Sequence, residues 1–138
     1  MRIVLDTNVV VSGLLNPHGK PGTILQMVVS RAVTICYDAR IIDEYREVLL
    51  RPKFPISEAE VDATLEQIEA AGHLVTTTPL PQNLPDPDDE PFLEVALAGE
   101  AEYLVTGNVK HYPEDRRRGV RVVSPVEFVE LYRTSVDD

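Results

Sequence analysis

Residues Arg2-Ile3-Val4-Leu5-Asp6-Thr7-Asn8 constrain this chain most: an apolar β run ends abruptly in an acid, a hydroxyl and an amide. Such a run belongs to a buried strand, and in an open parallel sheet ligands bind at the carboxyl ends of the strands. Asp6 is therefore a candidate for chemistry. It is equally a candidate helix cap, because Asp, Thr and Asn are favoured caps and Val9 to Leu15 reads as a short helix. The segment alone leaves both roles open, and the other acids must decide.

Downstream, helix and strand signals alternate. Asn16-Pro17-His18-Gly19 is a turn, and a helix restarts at Pro21 with Ile24, Leu25, Val28 and Val29 at helical spacing through Ser30. Val33 to Tyr37 is a β-branched run. Asp38 caps a helix to Leu50 whose stripe is Ile41, Ile42, Tyr45, Val48 and Leu49, closed by Arg51-Pro52. Ser57, with Glu60 at capping-box spacing, opens a helix with Val61, Leu65 and Ile68 inward until Gly72. A short strand over Leu74 to Thr78 leads into a proline-rich loop, Leu80 to Pro87. Phe92, Leu93, Ala96 and Leu97 mark a helix ending near Gly99, and Tyr103 to Thr106 a strand broken by Gly107-Asn108. Residues 120–123 form the last strand, Ser124-Pro125 starts the final helix through Val126, Phe128, Val129 and Leu131, and the last few residues are expected to fray. This order predicts a single α/β domain around a parallel sheet.

At 138 residues the chain can bury a core without metals or disulfides. Its single cysteine, Cys36, reads as a small buried hydrophobe, which fits a reducing cytosol. No stretch approaches the roughly 20 apolar residues that span a bilayer, so neither secretion nor membrane insertion is expected. A net charge of −10 argues against simple electrostatic wrapping of nucleic acid, yet carboxylates clustered to hold a cation add to that charge. Cations concentrate late in the chain, at Lys110, His111, Arg116-Arg117-Arg118 and Arg121.

Helical geometry separates the acids. Asp43 and Glu47 fall about 160° from the centre of their helix stripe, on the solvent side, while Glu44 lies about 100° away, at the border. Asp89 falls within about 20° of the inward stripe of the next helix, a direction that first-turn dipole capping does not require. Glu90 points roughly the opposite way, and Asp86 and Asp88 read as turn or cap residues. Asn108 ends a strand as Asp6 does, either as a ligand or as a left-handed turn residue. Asp6, Glu44, Asp89 and Asn108 thus converge on one sheet edge with oxygen donors only, a set that suits Mg²⁺ or Mn²⁺ and argues against zinc.

These residues resemble the PIN domain, and the likeness covers almost the whole chain. It rests on Asp6-Thr7-Asn8, Glu44 within Asp43 to Leu49, Asp89 within Asp86 to Leu93, and Val105-Thr106-Gly107-Asn108. The resemblance implies a three-layer α/β/α sandwich of Rossmann-like topology, one PIN-like nuclease domain over residues 1–138, and a Mg²⁺- or Mn²⁺-dependent ribonuclease site. It looks closest to small prokaryotic toxins of VapC-like toxin-antitoxin pairs, which implies an antitoxin partner, an RNA substrate and a cytoplasmic location. Position by position, Asp6, Glu44 and Asp89 match the family's acids, with Asp6 and Asp89 as direct metal ligands. Thr7, Asn8 and Thr106 would orient those carboxylates. Asn108 stands where aspartate is common, and an amide there weakens a second metal position.

The mechanism expected on this basis is phosphodiester hydrolysis, with Glu44 serving water binding or proton transfer. The basic residues that follow Asn108, namely Lys110, His111, Arg116, Arg117 and Arg118, are expected to contact the RNA backbone because they lie near the acids. A PIN-like binding module with weak or lost chemistry is the alternative. A haloacid-dehalogenase-like phosphatase needs an acid where Asn8 stands, and a receiver domain needs an acid pair near the first strand. A homodimer through apolar helix faces and a monomer read alike here.

Overall fold

The computed structural model describes residues 1–137, with Val136 and Asp137 described in backbone only. In chain order the elements are β1 (Arg2–Leu5), α1 (Thr7–Leu15), α2 (Lys20–Val29), β2 (Thr34–Tyr37), α3 (Ala39–Leu49), α4 (Glu58–Ala71) and β3 (His73–Leu74). After the proline-rich loop follow α5 (Glu90–Ala98), β4 (Tyr103–Val105), β5 (Arg121–Val123) and α6 (Pro125–Asp137). Asp138, part of the tail expected to fray, lies outside the described residues.

All five strands are parallel, in the order β3-β2-β1-β4-β5. The chain winds outward from β1 through β2 to β3, then crosses back to lay β4 on the other side of β1. Leu5 is in register with Val105, so the carboxyl ends of β1 and β4 flank the point where the winding reverses. A crevice forms at such a switch point because the connections leave it in opposite directions.

The helices cover the sheet with the predicted stripes. Ile41, Ile42, Tyr45 and Leu49 are buried in α3, while Asp43 and Glu47 are exposed. Val61, Leu65 and Ile68 are buried in α4, and Phe92, Leu93 and Ala96 in α5. Each large apolar side chain so buried contributes about 1.5–3 kcal/mol, which offsets the entropy of ordering the chain. Cys36 is free and fully buried. Among the described residues no helix is long and apolar enough to cross a membrane.

Several boundaries differ from expectation. The first helix begins at Thr7 rather than Val9, so neither Thr7 nor Asn8 caps it. The cap is Asp6, whose carboxylate accepts the Thr7 N–H at 2.8 Å. The strand expected over Leu74 to Thr78 is only His73–Leu74, because its partner β2 ends at Tyr37 and Asp38 turns away to cap α3. Val75 makes the last bond, to the Tyr37 carbonyl at 3.0 Å. Asp89 lies in a 3₁₀ turn, Pro87–Asp89, just ahead of α5.

At Ser57 only half of a capping box forms, with the Glu60 N–H on Ser57 Oγ at 3.1 Å. The reciprocal box closes at α6, where Glu127 N–H meets Ser124 Oγ at 3.1 Å and Ser124 N–H meets Glu127 Oε1 at 3.2 Å. Ser124→Ala is expected to cost about 1 kcal/mol in urea unfolding and to leave metal binding unchanged.

Candidate active site

Asp6 extends β1 by one residue, its N–H on the Val105 carbonyl at 2.9 Å. It is 6% exposed, and three donors hold its carboxylate. Oδ1 accepts from Thr7 N–H, while Oδ2 accepts from Thr106 Oγ1 at 2.8 Å and from the Tyr112 hydroxyl at 3.2 Å. Burial raises its pKa, and these hydrogen bonds pull it back down. Capping and chemistry are thus one geometry: Oδ1 closes the helix start, and the other donors fix the direction of the group.

The loop before α5 delivers the second acid. Glu90 Oε2 accepts the Leu84 N–H at 2.9 Å, so Glu90, expected to face solvent, instead holds this loop. Arg116 Nη1 donates to the Asn83 carbonyl at 2.5 Å. Asp86 caps the 3₁₀ turn by accepting the Asp88 N–H at 2.9 Å. Asp89 is therefore presented inward, 8% exposed, with Oδ2 buried and without a hydrogen-bond partner. Its pKa rises to about 6, through burial first and then the negative charges of Asp6, Asp86 and Glu44, with His111 opposing.

Glu44 is half-buried on α3 and accepts a hydrogen bond from Thr7 Oγ1 at Oε2. Burial raises its pKa and the Asp6 and Asp88 charges add to that, against the Thr7 bond. Next to it the fully buried Tyr45 donates to the Leu5 carbonyl, tying α3 to the end of β1. Asp6, Thr7 and Glu44 line one wall of an open cleft of about 340 Å³ that Val48 and Phe54 continue. The clefts lined by Leu14, Leu25, Val28 and Ile68 and by Thr76, Pro79, Leu80 and Leu97 do not touch these acids.

Asn108 is exposed and its backbone is not left-handed, with φ −126°. Its N–H donates to Thr106 Oγ1 at 3.0 Å, the same hydroxyl that donates to Asp6. Asn8 Oδ1 accepts the Gly107 N–H at 3.1 Å, joining the ends of β1 and β4. Asn108 therefore reaches the acids through its backbone and Thr106.

Of the cations expected on RNA, Arg116 and Arg117 are engaged within the fold, Arg117 Nε on the Tyr112 carbonyl at 2.8 Å. Lys110 and Arg118 are exposed. His111 lies against Asp89, Nδ1 to Oδ2 at 3.5 Å. Sequence reasoning missed Tyr112, which is fully buried with its hydroxyl on Asp6. No spacing rule links residues 106 positions apart, and only the parallel pairing of β1 with β4 makes them neighbours. Tyr112→Phe is expected to weaken metal binding by about 10- to 100-fold in calorimetry, the usual effect of losing a group that orients a ligand.

A carboxylate oxygen left without a partner in a buried position suits a hard cation, and Asp6, whose charge bears on Asp89, adds a second oriented carboxylate. Among the described residues no three His, Cys, Asp or Glu side chains stand together as a ligand cluster. The residues therefore fit an ion held by two acids and completed largely by water, as Mg²⁺ commonly is.

A doubly wound parallel sheet with oriented carboxylates at its switch point defines an α/β protein with an acidic site. The PIN domain family profile matches residues 2–110, most of the chain, and the chain belongs to the PIN domain family. It is 24% identical over 142 residues to uncharacterized protein MJ1680 of Methanocaldococcus jannaschii, covering 96% of this chain and 92% of that protein. The fold is similar to a chain in the crystal structure of VapBC2 from Rickettsia felis bound to a DNA fragment from their promoter. That match has a TM-score of 0.61 and 17% identity, over 90% of this chain and 98% of that one.

Proposed function

We propose that this protein is a divalent-metal-dependent ribonuclease and the toxin of a toxin-antitoxin pair. The observation that carries the nuclease reading is Asp89: a buried carboxylate, unpartnered at Oδ2, set among other acids at the switch point. Nothing in packing rewards that arrangement, since an ionised group so placed destabilises the fold unless a cation neutralises it.

Asp6 and Asp89 hold the ion, Mg²⁺ or Mn²⁺, which when bound supplies charge stabilisation at the phosphodiester and an activated water. Thr106, Tyr112 and the Thr7 N–H keep Asp6 in its orientation. Glu44, held at Oε2 by Thr7, keeps Oε1 for a water or for proton transfer. Lys110 and Arg118 contact the RNA backbone from the exposed side.

The toxin reading is supported by the likeness to the VapBC2 structure. A protein partner also suits the apolar cleft lined by Leu14, Leu25, Val28 and Ile68, beside exposed Val29. The exposed amide at Asn108 favours a second reading, an RNA-binding module with weak chemistry.

An RNA cleavage assay with Mg²⁺ or Mn²⁺, run on the wild type, Asp6→Asn and Asp89→Asn, separates these readings. Cleavage that needs metal and both acids supports the nuclease. Retained RNA binding without cleavage in the wild type supports the binding module, and cleavage indifferent to chelator overturns the metal site.

A further inference from the structure

His111 is poised for a role that its place in a basic stretch does not suggest. Its Nδ1 stands 3.5 Å from Asp89 Oδ2, too far for a good hydrogen bond, and that oxygen is the one left buried without a partner. The ring is half exposed, at the border between the acids and solvent.

Its backbone is held on both sides. The His111 N–H bonds to the Asn108 carbonyl at 2.9 Å. The next residue, Tyr112, is fixed at both ends, by its hydroxyl on Asp6 Oδ2 and by Arg117 on its carbonyl. The same short segment thus sets the direction of Asp6 and the place of the imidazole. A histidine meant for RNA phosphate would be better placed away from a carboxylate that competes for it.

From this geometry we infer that His111 is a nitrogen ligand of the divalent ion beside Asp89, and that it makes the centre prefer Mn²⁺ to Mg²⁺. The inference rests on the metal-dependent reading and deepens it. Ligands at adjacent corners of an octahedral ion stand about 3 Å apart, so the Asp89–His111 pair needs only a small adjustment to share one. Mg²⁺ is hard and takes oxygen donors, whereas a first-row transition ion also accepts imidazole. His111 thereby supplies, beside Asp89, the further donor expected of Asn108.

Pulsed EPR of the Mn²⁺-loaded wild type is expected to show nitrogen coupling from one imidazole, lost in His111→Gln. In calorimetry His111→Gln is expected to weaken Mn²⁺ binding by about tenfold with little effect on Mg²⁺, and His111→Asp to tighten Mg²⁺. Absence of nitrogen coupling in the wild type, or an equal loss for both ions in His111→Gln, overturns the ligand role. Asp6→Asn tests the reading beneath it. If that variant loses Mn²⁺ while His111→Gln behaves as wild type, only the His111 inference fails; if Asp6→Asn binds Mn²⁺ undiminished, the metal site itself fails.

Discussion

Asp89→Asn is expected to abolish metal-dependent RNA cleavage and, in chelator at pH 7.5, to raise the melting temperature. The two effects have one cause. A carboxyl whose pKa is lifted from 3.8 to about 6 costs the folded state up to roughly 3 kcal/mol when ionised. Asparagine has nearly the same shape and no charge, so it removes the repulsion from Asp6, Asp86 and Glu44 while keeping some cost of burying a polar group. A gain of about 1–2 kcal/mol follows, or roughly 3–8 °C for a domain of this size. Catalysis should fall by more than the about 10- to 100-fold seen when a group that merely orients a ligand is lost, because here the ligand itself is removed. Differential scanning calorimetry and the cleavage assay check the two halves. A lower melting temperature would mean that the Asp89 charge is not costly in the fold.

The second large effect is on pH. Because the folded pKa of Asp89 is raised, protonation of this group favours the fold at low pH. That contribution is lost as pH rises from about 4 through about 6. Above pH 6 the metal-free fold carries the full cost of the charge. A divalent ion competes with the proton for the same oxygens, so Mn²⁺ affinity is expected to fall by about tenfold per pH unit below 6 and to level off above about 7. Burial also raises the carboxyls of Asp6 and Glu44. Titration calorimetry from pH 5 to 8 measures this directly, and a constant dissociation constant across that range would contradict it.

Facing on a helix was legible because it follows from a fixed rotation per residue. That rotation predicts Asp43 and Glu47 outside, Glu44 at the border and Asp89 inside, and the structure has each of them so. It predicts Asp89 inward even though the residue sits in a 3₁₀ turn, because that turn runs directly into α5. It misjudged Glu90, whose carboxylate is drawn to the Leu84 N–H; a loop that lacks a ladder must find acceptors among side chains. The same want of partners shortened β3, since an edge strand lasts only while its neighbour does.

The sequence by itself determined the alternation of strand and helix, the inward stripes and the acids at the strand ends, because these depend on local periodicity and side-chain chemistry. Tertiary structure alone decided who meets whom. Parallel pairing of β1 with β4 carries Thr106 and Tyr112 onto Asp6, and the segment that follows puts His111 beside Asp89. Asp6, read first as either cap or ligand, holds the helix with one oxygen and takes its orientation from residues a hundred positions away. No local pattern encodes contacts across such separations, which arise only when the winding of the sheet reverses and brings two strand ends together.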